Sequence, residues 1–395
     1  MKEKLQLEIV HEVDRLSDEL TSVAKFIGRH PELAYHEYQA QERLSAYLKK
    51  HGFKIKKGIG GIKTAFLATA GQRSNPAGGS PTIGFLAEYD ALPGIGHACG
   101  HNLIGATSCT AAIALSKALK DLTGSVAVIG CPAEEGGGGK ILLARKGVFK
   151  NLDVAMMAHP DSRTEPIKKM LALVELDIEF FGKESHAAAA PEKGINALDA
   201  AVIAYQNILR YRKKLSNDAR IHGIFTSAGI KPNIIPDHAA LKYYIRALRM
   251  SYVEQMVHRI KSIARAEAKR MGAKVEFRMN PLSYEPFYPN RTLGKIFAKQ
   301  LAFLRIKNEQ GSETKRIGSS DVGNVGQRVP TIHPSIKICD HLSVHTRAFA
   351  KAALSERSYK AMTGAAKALA LTGYEVLSQP QTLKRIEAEF KNTRR

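Results

Sequence analysis

Residues 83–102 read Ile83-Gly-Phe-Leu-Ala-Glu88-Tyr-Asp90-Ala-Leu-Pro-Gly-Ile-Gly-His97-Ala-Cys99-Gly-His101-Asn102. The first five are apolar, as in a buried strand, and they stop at Glu88-Tyr89-Asp90. Pro93 and three glycines then argue for a loop. That loop carries a thiol and two imidazoles into a small-residue stretch, roughly 102–119, that reads as a helix. A strand, a loop bearing chemistry and a covering helix form a unit of a mainly parallel α/β sheet.

The pattern recurs further along the chain. Residues 125–129 (SVAVI) lead into Glu134-Glu135, and residues 154–158 (VAMMA) lead into His159. Ligands in open α/β sheets bind beyond the carboxyl ends of the strands. The acids and histidines at these three ends are therefore expected to converge. Ahead of them, residues 1–51 alternate charged and apolar positions at helical spacing, interrupted near His30-Pro31, and read as two helices.

Residues 171–280 have another rhythm. Strand-like 171–181, 223–228, 241–248 and 273–278 alternate with helical 196–215 and a helix opened by Ser251, where Glu254 would complete a capping box. Leu198, Val202, Tyr205 and Leu209 make one apolar face of the first helix, and Val253, Met256, Val257, Ile260 and Ala264 one of the second. The order β-α-β-β-α-β is that of a ferredoxin-like α+β unit. The expected organisation is an α/β domain of 1–170 and 285–395, split by an inserted second domain at 171–284.

Composition narrows the class. Of the 395 residues 44% are hydrophobic, enough for a sizeable core. The apolar runs stop short of the roughly 20 residues of a membrane span, and charges interrupt the first residues where a secretory signal needs an apolar run. A cytoplasmic location is the expectation. Four irregularly spaced cysteines do not suggest a disulfide framework. The net charge of +22 is spread along the chain, its densest groups (Lys49-Lys50 and Arg210 to Lys214) on expected helices. A solvated basic surface is expected, with no nucleic-acid partner.

The chemistry sits in four segments. In Cys99-Gly-His101 a thiolate and an imidazole two residues apart can face one ion, a donor pair suited to zinc and its neighbours. Glu134-Glu135 places two carboxylates straight after a buried strand, costly unless a cation or proton offsets them; a solvated surface turn is the alternative. Ala158-His159-Pro160 and His341-Leu-Ser-Val-His345 each offer an imidazole that, alone, could be structural. The run of four glycines before Lys140 lacks the Ser or Thr of a phosphate loop.

Together these motifs resemble the amidohydrolase branch of the metallopeptidase-twenty family, which includes aminoacylases, hippurate hydrolase, carboxypeptidase G-like enzymes and aminobenzoyl-glutamate hydrolase. The resemblance covers nearly the whole chain. It implies a zinc-peptidase-like catalytic domain with a mixed, mainly parallel sheet and an inserted lid, and hydrolysis of an amide or peptide bond in an N-acyl amino acid or dipeptide with a free carboxylate. It implies Cys99, His101, Glu135, His159 and His345 as ligands of two divalent ions (zinc or manganese, with cobalt or nickel also accommodated). Glu134 would be the general base, activating the attacking water, and Asp90 would orient the cluster. His186 would polarise the scissile carbonyl, in dimeric relatives from the other subunit. Asn233 and Arg246 would grip the substrate carboxylate, and the lid would form a homodimer. Two-zinc members with a ligand histidine two residues before the aspartate differ from this chain, which has Glu88 there; most of the branch has Asp where Asn102 stands. These features, with Gly318-Ser-Ser-Asp321-Val-Gly-Asn324, resemble the sub-branch of aminobenzoyl-glutamate hydrolase and the β-alanyl-lysine dipeptidases.

Two other readings compete. Cys99 could be the nucleophile of a thiol hydrolase, with His97 or His101 as base. A non-catalytic binding protein could keep the fold, but it would not need both adjacent acids and every candidate ligand.

Overall fold

The computed structural model describes residues 2–71, 80–309 and 317–393. The chain divides into two compact units, Met1–Lys169 with Tyr288–Glu313 and Asn324–Arg395, and Met170–Phe287 with Thr314–Gly323.

The first unit is built on a six-stranded sheet. Its central strand, Thr82–Ala87, runs parallel to Ser125–Gly130 on one side and Val154–Met156 on the other. Thr331–Ile332 extends the parallel side. Phe66–Gly71 and Lys54–Lys57 add antiparallel strands at the opposite edge. Every residue of Thr82–Ala87 and Ser125–Gly130 is buried, which explains continuous apolar runs instead of alternation. The helix His101–Lys117 is buried over residues 101–115, so its small side chains meet neighbours all round.

One expectation needs correction here. Residues 2–50 form three helices, Lys2–Arg15, Ser17–Arg29 and Tyr38–Lys50. The break at Leu16 escapes the apolar period because Leu16 is buried and helical hydrogen bonds continue through it, from Leu16 N to Glu12 O and Leu20 N to Leu16 O. The sheet is mixed and mainly parallel, as expected, with its antiparallel strands at one edge.

The second unit is a four-stranded antiparallel sheet in the order Lys274–Met279, Ala172–Phe181, His238–Ala247, Arg220–Ser227. Burial alternates strictly along Ala172–Phe181, so one face is covered. Met250–Arg270 buries Val253, Met256, Val257, Ile260 and Ala264. In Ala197–Arg212 the fully buried residues are Ala197, Ala200, Ala201, Ala204 and Ile208; of the expected face, Leu198 and Tyr205 are half-buried against the same core and Val202 is exposed. A row of alanines lets backbone approach backbone closely, which apolar size alone did not reveal. The expected capping box is absent too. The helix starts at Met250, after Arg249 with no side-chain cap. Each unit has its own apolar core, and all four cysteines are buried, with no disulfide among the described residues.

Candidate metal centre

Strand ends deliver the groups of the first unit. Glu88 and Asp90 follow Thr82–Ala87, and Glu134 and Glu135 follow Ser125–Gly130. Cys99 precedes Gly100, whose φ of 80° turns the chain into the helix that His101 begins. A Cβ on Gly100 would lie 2.8 Å from Pro160 Cγ, so glycine also lets the His159 segment close in. His345 takes φ 63°, uncommon for a side chain, with its N–H on Ala98 O at 2.8 Å.

Asp90 is the pivot. Its Oδ1 accepts from His101 Nδ1 at 3.0 Å, and its Oδ2 accepts the Glu135 backbone N–H at 2.9 Å. This bond orients the His101 ring with Nδ1–H on Asp90 and Nε2 turned towards the other donors. Nε2 is buried and has no hydrogen-bond partner among the described residues, and the same is true of Glu135 Oε1. Glu135 Oε1 is 3.5 Å from His345 Nε2, a charge contact. His159 commits Nδ1 to Pro160 O at 2.7 Å and turns Nε2 to Cys99 Sγ at 3.4 Å. Glu134 Oε2 lies 4.0 Å from His101 Nε2.

Ligand atoms of Cys99, His101 and His159 lie within 4.8 Å of one another, as do those of Cys99, Glu135 and His345, and of His101, Glu134 and Glu135. Cys99, His101 and Glu135 each belong to two such groups, so the donors form one continuous cluster. A thiolate, three imidazoles and carboxylates fit zinc or a similar divalent ion. The buried donor atoms without hydrogen bonds, His101 Nε2 and Glu135 Oε1, are positions that an ion would satisfy.

Electrostatics follow from burial and pairing. Burial alone would lower His101, but the Asp90 carboxylate overrides it and holds the imidazole well above its usual pKa. Burial would raise Asp90, and His101 overrides that and pulls it down. Burial lowers His159. Burial would raise Glu135, but His345 and His101 outweigh it and leave the carboxyl below its usual range. Burial pushes the Cys99 thiol up, unfavourable for a free thiolate nucleophile.

Three features were not apparent from the sequence. Glu37, fully buried, accepts the N–H of Tyr35 and of Ala133 on one oxygen at 3.0 and 2.9 Å. Ala133 has φ 60° and directly precedes Glu134, and Tyr35 Oη donates to Gly137 O at 2.5 Å, so residues 35–37 clasp the acidic loop from both sides. Lys140 is buried beside Glu88. His333 is buried with its ring centroid 5.2 Å from that of His159. Their sequence signal was weak, since each acts through a partner on another element.

In the second unit, His186 Nδ1 accepts the N–H groups of Ala188 and Ala189 at 3.2 and 3.1 Å. The Ala187 N–H bonds Asn233 O at 3.0 Å, so the His186 and Asn233 segments run side by side. Arg246 lies on His238–Ala247 with its guanidinium 5.2 Å from the centre of the Tyr244 ring.

A mixed, mainly parallel sheet with a thiol, imidazoles and paired acids gathered beyond its parallel strands fits a metal-dependent hydrolase. Comparison with known proteins names the family. Residues 172–272 match a peptidase dimerisation domain of the M20 type. The chain is 36% identical to the human Xaa-Arg dipeptidase, covering 98% of this chain and 92% of that one. It is 35% identical to a p-aminobenzoyl-glutamate hydrolase chain of Escherichia coli, covering 71% of this chain and 62% of that one. Its fold is shared with a dinuclear metal-binding M20 peptidase of Bacillus subtilis at a TM-score of 0.73 and 20% identity, covering 92% of this chain and 99% of that one. The chain belongs to the M20 family of peptidases and amidohydrolases. Among the described residues no helix is long and apolar enough to cross a membrane.

Proposed function

We propose that this enzyme hydrolyses the amide bond of a dipeptide, or of an N-acyl amino acid, with a free carboxylate. In this reading Cys99, His101, Glu135, His159 and His345 hold two divalent ions. The carrying observation is the pair of buried donor atoms without hydrogen bonds, His101 Nε2 and Glu135 Oε1, both braced by Asp90. Such ions, when bound, polarise a carbonyl and make water acidic near neutral pH.

The protein's own groups do the rest. Glu134 takes the proton of the attacking water and returns it to the leaving amine. Because His186 Nδ1 accepts two backbone N–H groups, its proton sits on Nε2, ready to donate to the carbonyl oxygen as charge builds there. Arg246, lying over Tyr244, and Asn233 hold the substrate carboxylate. The 172–272 region serves as the contact of a homodimer.

The names of the relatives rank the substrates. Dipeptides ending in arginine come first, then aminobenzoyl-glutamate, then N-acetyl amino acids; dipeptides ending in lysine are added to the first group because lysine is also basic. The test is a hydrolysis screen of these three groups with zinc, manganese, cobalt and nickel in turn. Release of the basic amino acid that stops with chelator and returns with one ion is expected. No release with any ion would sink the reading, and hydrolysis that survives chelation would redirect attention to the Cys99 thiol.

A further inference from the structure

Glu88 and Lys140 face each other at the inner wall of the cluster. Nζ lies 2.6 Å from Glu88 Oε1, with the side chains 0% and 1% exposed. The other oxygen, Oε2, lies 3.4 Å from His101 Nε2, the ring nitrogen that Asp90 turns outward. Two donors on one ion at about 2.1 Å in tetrahedral array would be separated by roughly this distance. Apart from these two charge contacts, neither Glu88 oxygen has a hydrogen-bond partner among the described residues.

A buried lysine needs a compensating charge, and a buried glutamate needs a cation. The local backbone makes room for this one. Lys140 lies in the first turn of Gly139–Arg145, and a Cβ on Gly139 would fall 1.9 Å from Pro132 O, so only glycine lets this turn close on the acidic loop. The charges then balance. With a Cys99 thiolate, the carboxylates of Glu88, Asp90, Glu134 and Glu135 carry five negative charges; Lys140 offsets one, and two divalent ions offset the other four.

We propose that Glu88 and Lys140 are a charge-compensated arm of the metal centre: Glu88 borders the ion at His101, and Lys140 fixes Glu88 while weakening the pull of the acids on that ion. Both are positioning residues. The inference rests on the metal reading above. A purely structural ion pair would leave ion affinity unchanged, or weaken it whichever partner was removed. An arm of the centre predicts opposite signs. Glu88→Gln leaves the Lys140 charge unopposed beside the ion and weakens binding. Lys140→Met removes the neighbouring cation and tightens it.

The experiment is zinc titration of the full chain against a chromophoric chelator, with bound metal counted by elemental analysis and folding checked by circular dichroism. Glu88→Gln is expected to raise the dissociation constant at least tenfold. Lys140→Met should lower it threefold or more, and the double variant should return within threefold of the parent. Lys140→Met affinity equal to or below that of the parent overturns the proposal, even where Glu88→Gln does not fold. So does a folded Glu88→Gln with parental affinity. A parent chain that retains no zinc overturns the metal reading and this inference with it. A zinc-binding parent with unmoved variants overturns this inference alone.

Discussion

At the scale of single residues the centre depends on Asp90, because one carboxylate sets the tautomer of His101 and holds the backbone of Glu135. Asp90→Asn keeps the shape but offers one acceptor and one donor to two N–H groups. One bond must be lost, along with the charge that holds His101 in place. Metal affinity should fall about 10–100-fold with the circular dichroism spectrum unchanged; equilibrium dialysis reads this, and parental affinity would show the brace to be idle. Glu134→Gln asks a different question. It should leave ion content and KM near the parent and reduce kcat by about 10²–10⁴. A kcat within tenfold of the parent would place the base elsewhere. The convergence of Glu134, Glu135 and His159 was legible because each follows a buried apolar strand, although each side chain alone could have been structural. Lys140 was not. After four glycines it read as a failed phosphate loop, and its burial is decided by Glu88 on a different element.

At the scale of elements the legible part is the strand that stops at charge. Thr82–Ala87 and Ser125–Gly130 are buried on both faces, so their apolar runs carried an unambiguous signal. Helix faces were harder. The alanine side of Ala197–Arg212 is buried because small residues permit close packing, and no ranking by hydrophobicity selects it over leucine and tyrosine. The clasp of Glu37 on Ala133 was invisible, since it joins the loop before Tyr38–Lys50 to the loop after Ser125–Gly130. That clasp has a pH signature. Burial is the chief cause that raises Glu37 from 4.5 to about 7. The folded state therefore binds this proton more tightly than the unfolded chain. The stability it contributes is full below pH 4.5 and is lost as pH rises through 7, about 3 kcal/mol in all. Glu37→Gln keeps an acceptor for both N–H groups and cannot ionise. Chemical denaturation from pH 4.5 to 8 should show the parent losing stability relative to the variant. Parallel curves would mean that Glu37 is not protonated in the fold.

At the scale of the whole molecule, the two units differ in what an ion can do for them. Every donor in the cluster belongs to the first unit, and each unit has a separate apolar core. An ion that binds only the folded first unit stabilises it by mass action, about 2.7 kcal/mol when free ion exceeds the dissociation constant a hundredfold. The second unit has no such linkage through its own core. Removing ions with a chelator should therefore weaken amide protection in the segments that carry the donors: 88–101, 133–140, 159–161 and 345. Protection in the strands of the four-stranded sheet, Ala172–Phe181 and His238–Ala247, should stay as it was. Hydrogen exchange read by mass spectrometry resolves these segments separately, with zinc and with chelator. An equal loss in both units would mean that they unfold as one cooperative body. Equal protection with and without chelator would mean that the buried donors of His101 and Glu135 are satisfied without an ion, and that Asp90 braces an ordinary polar core.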